Sequence, residues 1–234
     1  MLDCISVDNM RQSDAMTIEK YVPSLGLMRR AAEGVFRAAK WHGRVAIVVG
    51  SGNNGGDGFA LACILHRESI ECAVFTVSQR LSADSAYYAA QAKELGITIS
   101  PFTPGCLNGF DMVVDCLLGT GFQGGLRENC RIAIEAINAS GAEVISVDIN
   151  SGMNGDTGEG ELIVRSDLTV TIGFVKHGLI TENAGRYMKC LVCADIGIIL
   201  AKEEHKICDD NEYHPNAIPC PNWLDMTIIK ISTE

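Results

Sequence analysis

Positive charge is what this sequence has least of. Nineteen Lys and Arg stand against 29 Asp and Glu, a formal net charge of −10. Phosphate backbones and anionic membrane surfaces are held by clustered Lys and Arg, so neither nucleic acid nor membrane is expected as the main partner. A small phosphorylated ligand needs only a local site and stays open. Long apolar runs are missing too, and nothing approaches the roughly 20 residues of a membrane helix. The opening MLDCISVDNMRQSD carries early acids and no apolar stretch, so it does not read as a signal peptide. Internal repeats and low-complexity linkers are also absent. Cysteine, by contrast, is plentiful, with ten residues. Most, such as Cys63, Cys72, Cys116 and Cys130, lie in apolar runs and read as small buried hydrophobes. Without an export signal, reduced thiols and a cytoplasmic protein are expected. Cys190 and Cys193 fall in an alternating run that points them to opposite faces of a strand. His205, Cys208, His214 and Cys220 match no standard zinc spacing, which disfavours a metal there.

What is present alternates. At 234 residues the chain suits one domain, 1–234, with a core over about 10–198 and an irregular tail over 202–234. The first forty residues read as helical, with an apolar face from Leu27 to Trp41. RVAIVVG is a continuous apolar run, as in a strand buried on both faces. A helix is expected from Asp57, which is placed to cap it. Further strands are expected at ECAVFTV, ITISPF, DMVVDCLLG, EVISVDI, DLTVTIG and MKCLVCADIGI, with helices at SADSAYYAAQAKEL and RENCRIAIEAINAS. The tail, with three prolines in YHPNAIPCPNW, allows a short edge strand at MTIIKI. Buried strands alternating with such helices predict an α/β fold: a Rossmann-like three-layer sandwich with a mostly parallel central sheet.

The loop after RVAIVV is the first candidate site. Gly50, Gly52 and Gly55 satisfy G-x-G-x-x-G between a strand and a helix, where free N–H groups favour an anion. The usual acid for a dinucleotide ribose is missing, because the next strand ends FTVSQR, and so is the lysine of a triphosphate loop. An NAD-dependent oxidoreductase and an ATPase are therefore disfavoured. Asn53 and Asn54 have an ordinary reading as turn formers; two in succession before Gly-Gly-Asp-Gly favour a polar site, and such an oxygen-rich loop suits a hard cation or sugar hydroxyls. Two other strand ends agree. Asp115 precedes a glycine-rich loop, and Asp148 precedes Asn150 and Ser151. Each aspartate alone would be an ordinary cap. Together they lie where ligands bind, beyond the carboxyl ends of parallel strands.

GNNGGDG, VDCLLGTG, VDINSGMNGDTG and GRYMKCLVCADIGI, in this order and spacing, strongly resemble the NAD(P)H-hydrate epimerases, the YjeF N-terminal domain family; the resemblance covers roughly residues 10–198. It implies an isomerase of nicotinamide cofactor repair. The enzyme interconverts the R and S forms of hydrated NADH and NADPH (NADHX and NADPHX), forms a homodimer, binds potassium and works beside a dehydratase. By position, Asn54, Asp115 and Ser151 are similar to the family's potassium ligands. Asn53, Asn54, Gly55, Gly56, Asp57, Gly119, Thr120, Gly121, Phe122, Gln123, Gly124, Gly125 and Asp148 resemble its substrate-binding groups. Epimerisation at the hydroxyl-bearing C6 needs a proton donor and acceptor rather than a strong nucleophile. The carboxyls of Asp148, first, and Asp57, second, suit that task.

Some positions depart from the family. Gln123 stands where some relatives carry a basic residue, and Arg29 where an acid is common. Lys176 matches a frequent lysine, which suits a phosphate contact or a surface turn. Many bacterial relatives continue into a dehydratase domain, so a separate dehydratase is expected here. The alternative function is an inactive nucleotide-binding or scaffold module of the same fold; the joint presence of Asn54, Asp115, Asp148 and Ser151 counts against it.

Overall fold

The computed structural model describes residues 2–204, 206–207 and 226–230. In chain order the elements are β1 (Leu2–Ile5), α1 (Val7–Lys20), α2 (Ser24–Ala38), β2 (Val45–Val49), α3 (Asn53–Arg67), β3 (Cys72–Thr76), α4 (Ala83–Glu94), β4 (Thr98–Pro101), β5 (Met112–Cys116), α5 (Glu128–Ala139), β6 (Glu143–Val147), β7 (Ser166–Ile172), β8 (Val175–Lys176), β9 (Met188–Asp195), β10 (Lys206–Ile207) and β11 (Met226–Lys230). The main sheet has eight strands in the order β11-β9-β7-β6-β5-β2-β3-β4. Every pairing in it is parallel.

Burial explains the layers. All five residues of β2 and of β5 are buried, as continuous apolar runs require of central strands. Side chains alternate across the sheet. Val45, Ile47 and Val49 join a core with Phe59, Leu61 and Leu65 of α3 and Ala31 and Val35 of α2. Ala46 and Val48 face the opposite core, with Ala133, Ile134 and Ile137 of α5. The three-layer sandwich expected from the sequence is thus formed.

Strands β4-β3-β2-β5-β6-β7 follow the order of a doubly wound sheet, in which the chain reverses direction between β2 and β5. The glycine loop and the Asp115 loop therefore leave adjacent strand ends at the crevice where such sheets bind ligands. At Gly50 the two ends come so close that a Cβ would lie 1.9 Å from the carbonyl oxygen of Leu117.

Several local expectations change. The N-terminus begins with a strand, not a helix: β1 pairs in parallel with β8 and antiparallel with β10. Helix α3 starts at Asn53 with Gly52 as its N-cap, so Asp57 lies inside the helix and caps nothing. The apolar face of α2 is covered within the chain by α3, and the helix ends at Ala38 rather than Trp41. Cys63 and Cys116 are buried as expected, whereas Cys72 and Cys130 are half-buried. Cys193 is buried and Cys190 half-buried. The edge strand β11 exists and pairs with β9. His205, Cys208, His214 and Cys220 lie outside the described residues, and among the described residues no group of three metal-ligating side chains gathers. No helix among the described residues is long and apolar enough to cross a membrane.

Candidate active site

A cavity of about 640 Å³ opens over the carboxyl ends of β2, β5 and β6. That is within the range of small-molecule and cofactor sites. Asn53, Asn54 and Asp57 reach it from the start of α3, Gly119 to Gln123 and Gly125 from the loop after β5, and Asp148 from the end of β6. Met10, Arg11, Asp14 and Ile18 line it from α1.

Asp148 is held by an unusual piece of backbone. Its φ is +69°, and Ile149 N donates to Val147 O across it at 2.9 Å, closing a γ-turn with Asp148 at the centre. This left-handed type of γ-turn is strained and rare. Asp148 N is fixed as well, donating to Val170 O at 2.7 Å. Each carboxylate oxygen then meets one donor: Lys176 Nζ reaches Oδ1 at 2.5 Å, and Thr120 N reaches Oδ2 at 3.2 Å. The Lys176 side chain is 1% exposed and that of Asp148 16%. Lys176 also donates to Thr171 Oγ1 at 2.9 Å and to Ile172 O at 2.8 Å. Its three protons are thereby used. It neither reaches for a phosphate nor closes a surface turn; it backs Asp148 from inside the fold.

Asp14, Asp57 and Asp84 also line the cavity, and among the described residues Asp14 and Asp57 neither accept a hydrogen bond nor form an ion pair. Burial pushes Asp57 well above the usual carboxylate range; Asp148 and then Asp14 add to this, and Lys176 opposes it. Asp14 is pushed up from 3.8 to about 6, chiefly by burial, with Lys176 drawing it back and Asp148 adding. A carboxyl whose folded value is raised holds its proton longer in the native state. Its contribution to stability is present at low pH and is lost as pH rises, for Asp14 from about 4 through about 6. Asp14→Asn removes that part. The denaturation midpoint at pH 7 relative to that at pH 4 should therefore rise compared with the parent; an unchanged relation between the two would contradict the raised value.

Asp115 and Ser151 lie just behind the cavity wall, both 0% exposed. Ser151 Oγ donates to Asp115 Oδ1 at 2.5 Å, and Ser151 N donates to Asp115 Oδ2 at 2.9 Å. Ser146 Oγ and Leu117 N complete the carboxylate at 3.0 and 3.2 Å. Burial raises the Asp115 carboxyl, and these hydrogen bonds oppose the rise. Asn54 is different. It is 7% exposed, yet among the described residues neither the nitrogen nor the oxygen of its amide has a hydrogen-bond partner. A buried, unpaired amide costs free energy unless a ligand completes it. Asn53 Oδ1 instead accepts from Ser82 Oγ, tying the loop to the N-cap of α4 at 2.8 Å.

Of the other glycines, Gly55 and Gly56 are buried inside α3 and do not line the cavity. A Cβ on Gly56 would collide with Met28 and Ser85, so this residue lets α2 and α4 pack against the helix start. Gly124 lies in a separate hollow of about 80 Å³ with Gly152 and Asn154.

Residues 24–178 match the family model described as YjeF-related protein N-terminus. The chain belongs to this family. It is 34% identical over 199 residues to the NAD(P)H-hydrate epimerase of Limosilactobacillus fermentum, covering 82% of this chain and 95% of the relative. It is 36% identical over 207 residues to the NAD(P)H-hydrate epimerase of Rhodopirellula baltica, covering 84% and 85%. A bifunctional NAD(P)H-hydrate repair enzyme of Coxiella burnetii is 34% identical over 196 residues, 81% of this chain but only 40% of that protein. The crystal structure of yeast ynu0 superimposes with a TM-score of 0.69 at 21% identity, covering 80% of this chain and 86% of that one. At that identity the likeness carries the fold alone.

Sequence reasoning missed Asp14 and misread Lys176. Asp14 sits on a helix with no apolar face to draw attention to it. A signal was nonetheless present: Asn9, Ser13 and Thr17 recur every four residues and are buried, which leaves Met10, Asp14 and Ile18 as the neighbouring stripe. For Lys176 the signal was its place in FVKHG, directly after apolar strand residues.

Proposed function

We propose that the chain interconverts the R and S epimers of hydrated NADH and NADPH, as a nicotinamide cofactor repair isomerase. The observation that carries this reading is the pairing of buried Lys176 with Asp148, which lines the cavity over the strand ends, in a chain of this family. The reaction inverts C6, which bears a hydroxyl next to a ring nitrogen. Loss of the hydroxyl gives an iminium that water re-enters from either face. Asp148 moves the proton, and Lys176 and Thr120 N keep its carboxyl pointed at the cavity. Burial favours the neutral form of Asp57, which would donate a hydrogen bond to the substrate. The glycine loops after β2 and β5 supply backbone N–H groups for the phosphates. Incubation of the purified protein with the R form of NADHX, with a dehydratase specific for the S form as reporter, tests the reading. No acceleration over the spontaneous rate would overturn it and favour an inactive scaffold.

The donor set near Asn54 fits a hard, weakly charged cation. Asn54 has an unpaired buried oxygen, and Asp115 and Ser151 add only oxygens, with one carboxylate among them. Potassium held by these three would add positive charge beside the substrate. Because binding favours the native state, the melting temperature should be higher in potassium than in a bulky organic cation at equal ionic strength. Coincident melting curves would refute the site. The functional partner is a dehydratase that consumes the S form. The homodimer rests on the family resemblance alone, since the apolar face of α2 is already covered within the chain.

A further inference from the structure

Helix α1 has two working faces. On one, Asn9, Ser13 and Thr17 are buried and bind the segment after β9. Ile199 N donates to Thr17 Oγ1 and Ala201 N to Ser13 Oγ, both at 2.9 Å, and Asn9 Nδ2 donates to Lys202 O at 2.8 Å. The next face, with Met10, Asp14 and Ile18, lines the cavity. Met10 anchors it over the end of β7, near Gly173 and Ile198. Asp14 thus enters the cavity from a wall separate from the start of α3 and the end of β6, which carry Asp57 and Asp148. Among the described residues its carboxyl accepts no hydrogen bond and forms no ion pair, and the docking of α1 does not use it.

We propose that Asp14 is a catalytic residue of the epimerisation, handling the proton on one face of the substrate ring while Asp148 handles it on the other. The proposal rests on the epimerase reading above. An iminium at C6 is planar, so inversion requires the hydroxyl to leave from one face and water to arrive on the opposite face. In one direction the C6–O bond breaks with its electron pair going to oxygen. The oxygen takes the proton of the first carboxyl and departs as water, while the ring nitrogen's lone pair forms the C=N bond. Water then adds to C6 from the other face and gives a proton to the second carboxylate. In the reverse direction the two groups exchange roles, so each must both give and take a proton near neutrality. Asp14, on its separate wall and raised to about 6, suits both tasks, whereas Asp57, raised well above the usual range by burial, yields its proton less readily. Besides Asp14, the charged groups facing it or the cavity are Arg11, Asp57, Asp84, Asp148, Lys176 and Arg127.

The test uses each epimer of NADHX separately in water enriched in oxygen-18, with enzyme in excess and the spontaneous reaction subtracted; the exchange expected of Asp14→Asn is that of the epimer whose hydroxyl lies on the Asp148 face. In the parent, each inversion should bring in one labelled oxygen. In Asp14→Asn, inversion should fall by about 10²-fold or more, while label still enters the uninverted epimer through the face that Asp148 serves. The ratio of exchange to inversion should therefore rise, and Asp14→Glu should restore part of the inversion. Inversion within threefold of the parent in Asp14→Asn would overturn the proposal. So would exchange and inversion falling together for both epimers, which marks a merely structural role, and so would parental inversion without label, which marks ring opening rather than loss of the hydroxyl. A parent that accelerates nothing would instead overturn the epimerase reading itself.

Discussion

Asp148→Asn should lower the rate of epimerisation by about two to four orders of magnitude, the range expected when a general acid or base is lost. Asparagine keeps the size of the side chain and one acceptor for Lys176 but cannot carry the proton. The γ-turn should survive, because asparagine tolerates positive φ as well as aspartate does, and Asp148 N and Ile149 N bond to backbone carbonyls only. Ligand affinity should survive in part, since the phosphates are held by loop N–H groups rather than by this side chain. Were Asp148 only an orienting group, the variant would lose affinity and keep its turnover at saturation. Single-turnover rates with saturating enzyme separate the two. A rate within threefold of the parent, after subtraction of spontaneous epimerisation, would remove the acid–base role from Asp148.

The parts of this site that were legible in the sequence are those fixed by local pattern. The apolar runs of β2, β5 and β6 can only be central strands, and the polar residues that follow them must then emerge on one sheet edge. Asn54, Asp115, Asp148 and Ser151 could be placed together on that basis. What stayed hidden depends on partners far along the chain. The polar stripe of α1 satisfies backbone groups more than 180 residues away, at Ile199 and Ala201. Strand β1 exists through its pairing with β8 and β10. The start of α3 was misplaced for an energetic reason. Glycine costs about 1 kcal/mol in a helix interior, so a helix beginning with Asn53-Asn54-Gly55-Gly56 goes against local preference. Tertiary packing of Gly56 on Met28 and Ser85 overrides that preference. Lys176 reads as a surface residue until its burial and its three acceptors are seen.

Lys176→Met should destabilise the fold by about 3 kcal/mol, near the lower end of the cost of leaving one member of a buried pair alone. Methionine fills much of the volume, so the loss is not chiefly a cavity effect. It comes from Asp148, whose Oδ1 loses its cation in a side chain only 16% exposed, and from Thr171 Oγ1 and Ile172 O, which lose a donor. The carboxylate's remaining exposure to water places the estimate low in the range, because solvent takes up part of the charge. The origin can be separated with a double variant. In Asp148→Asn/Lys176→Met no charge is left uncompensated, so the double variant should be more stable than the sum of the two single changes predicts, by about 1–3 kcal/mol. Chemical denaturation of the parent, both single variants and the double variant gives this coupling directly. If the two changes simply add, the short contact between Lys176 and Asp148 stabilises nothing, and Lys176 would be a space-filling residue rather than the electrostatic support of the carboxylate.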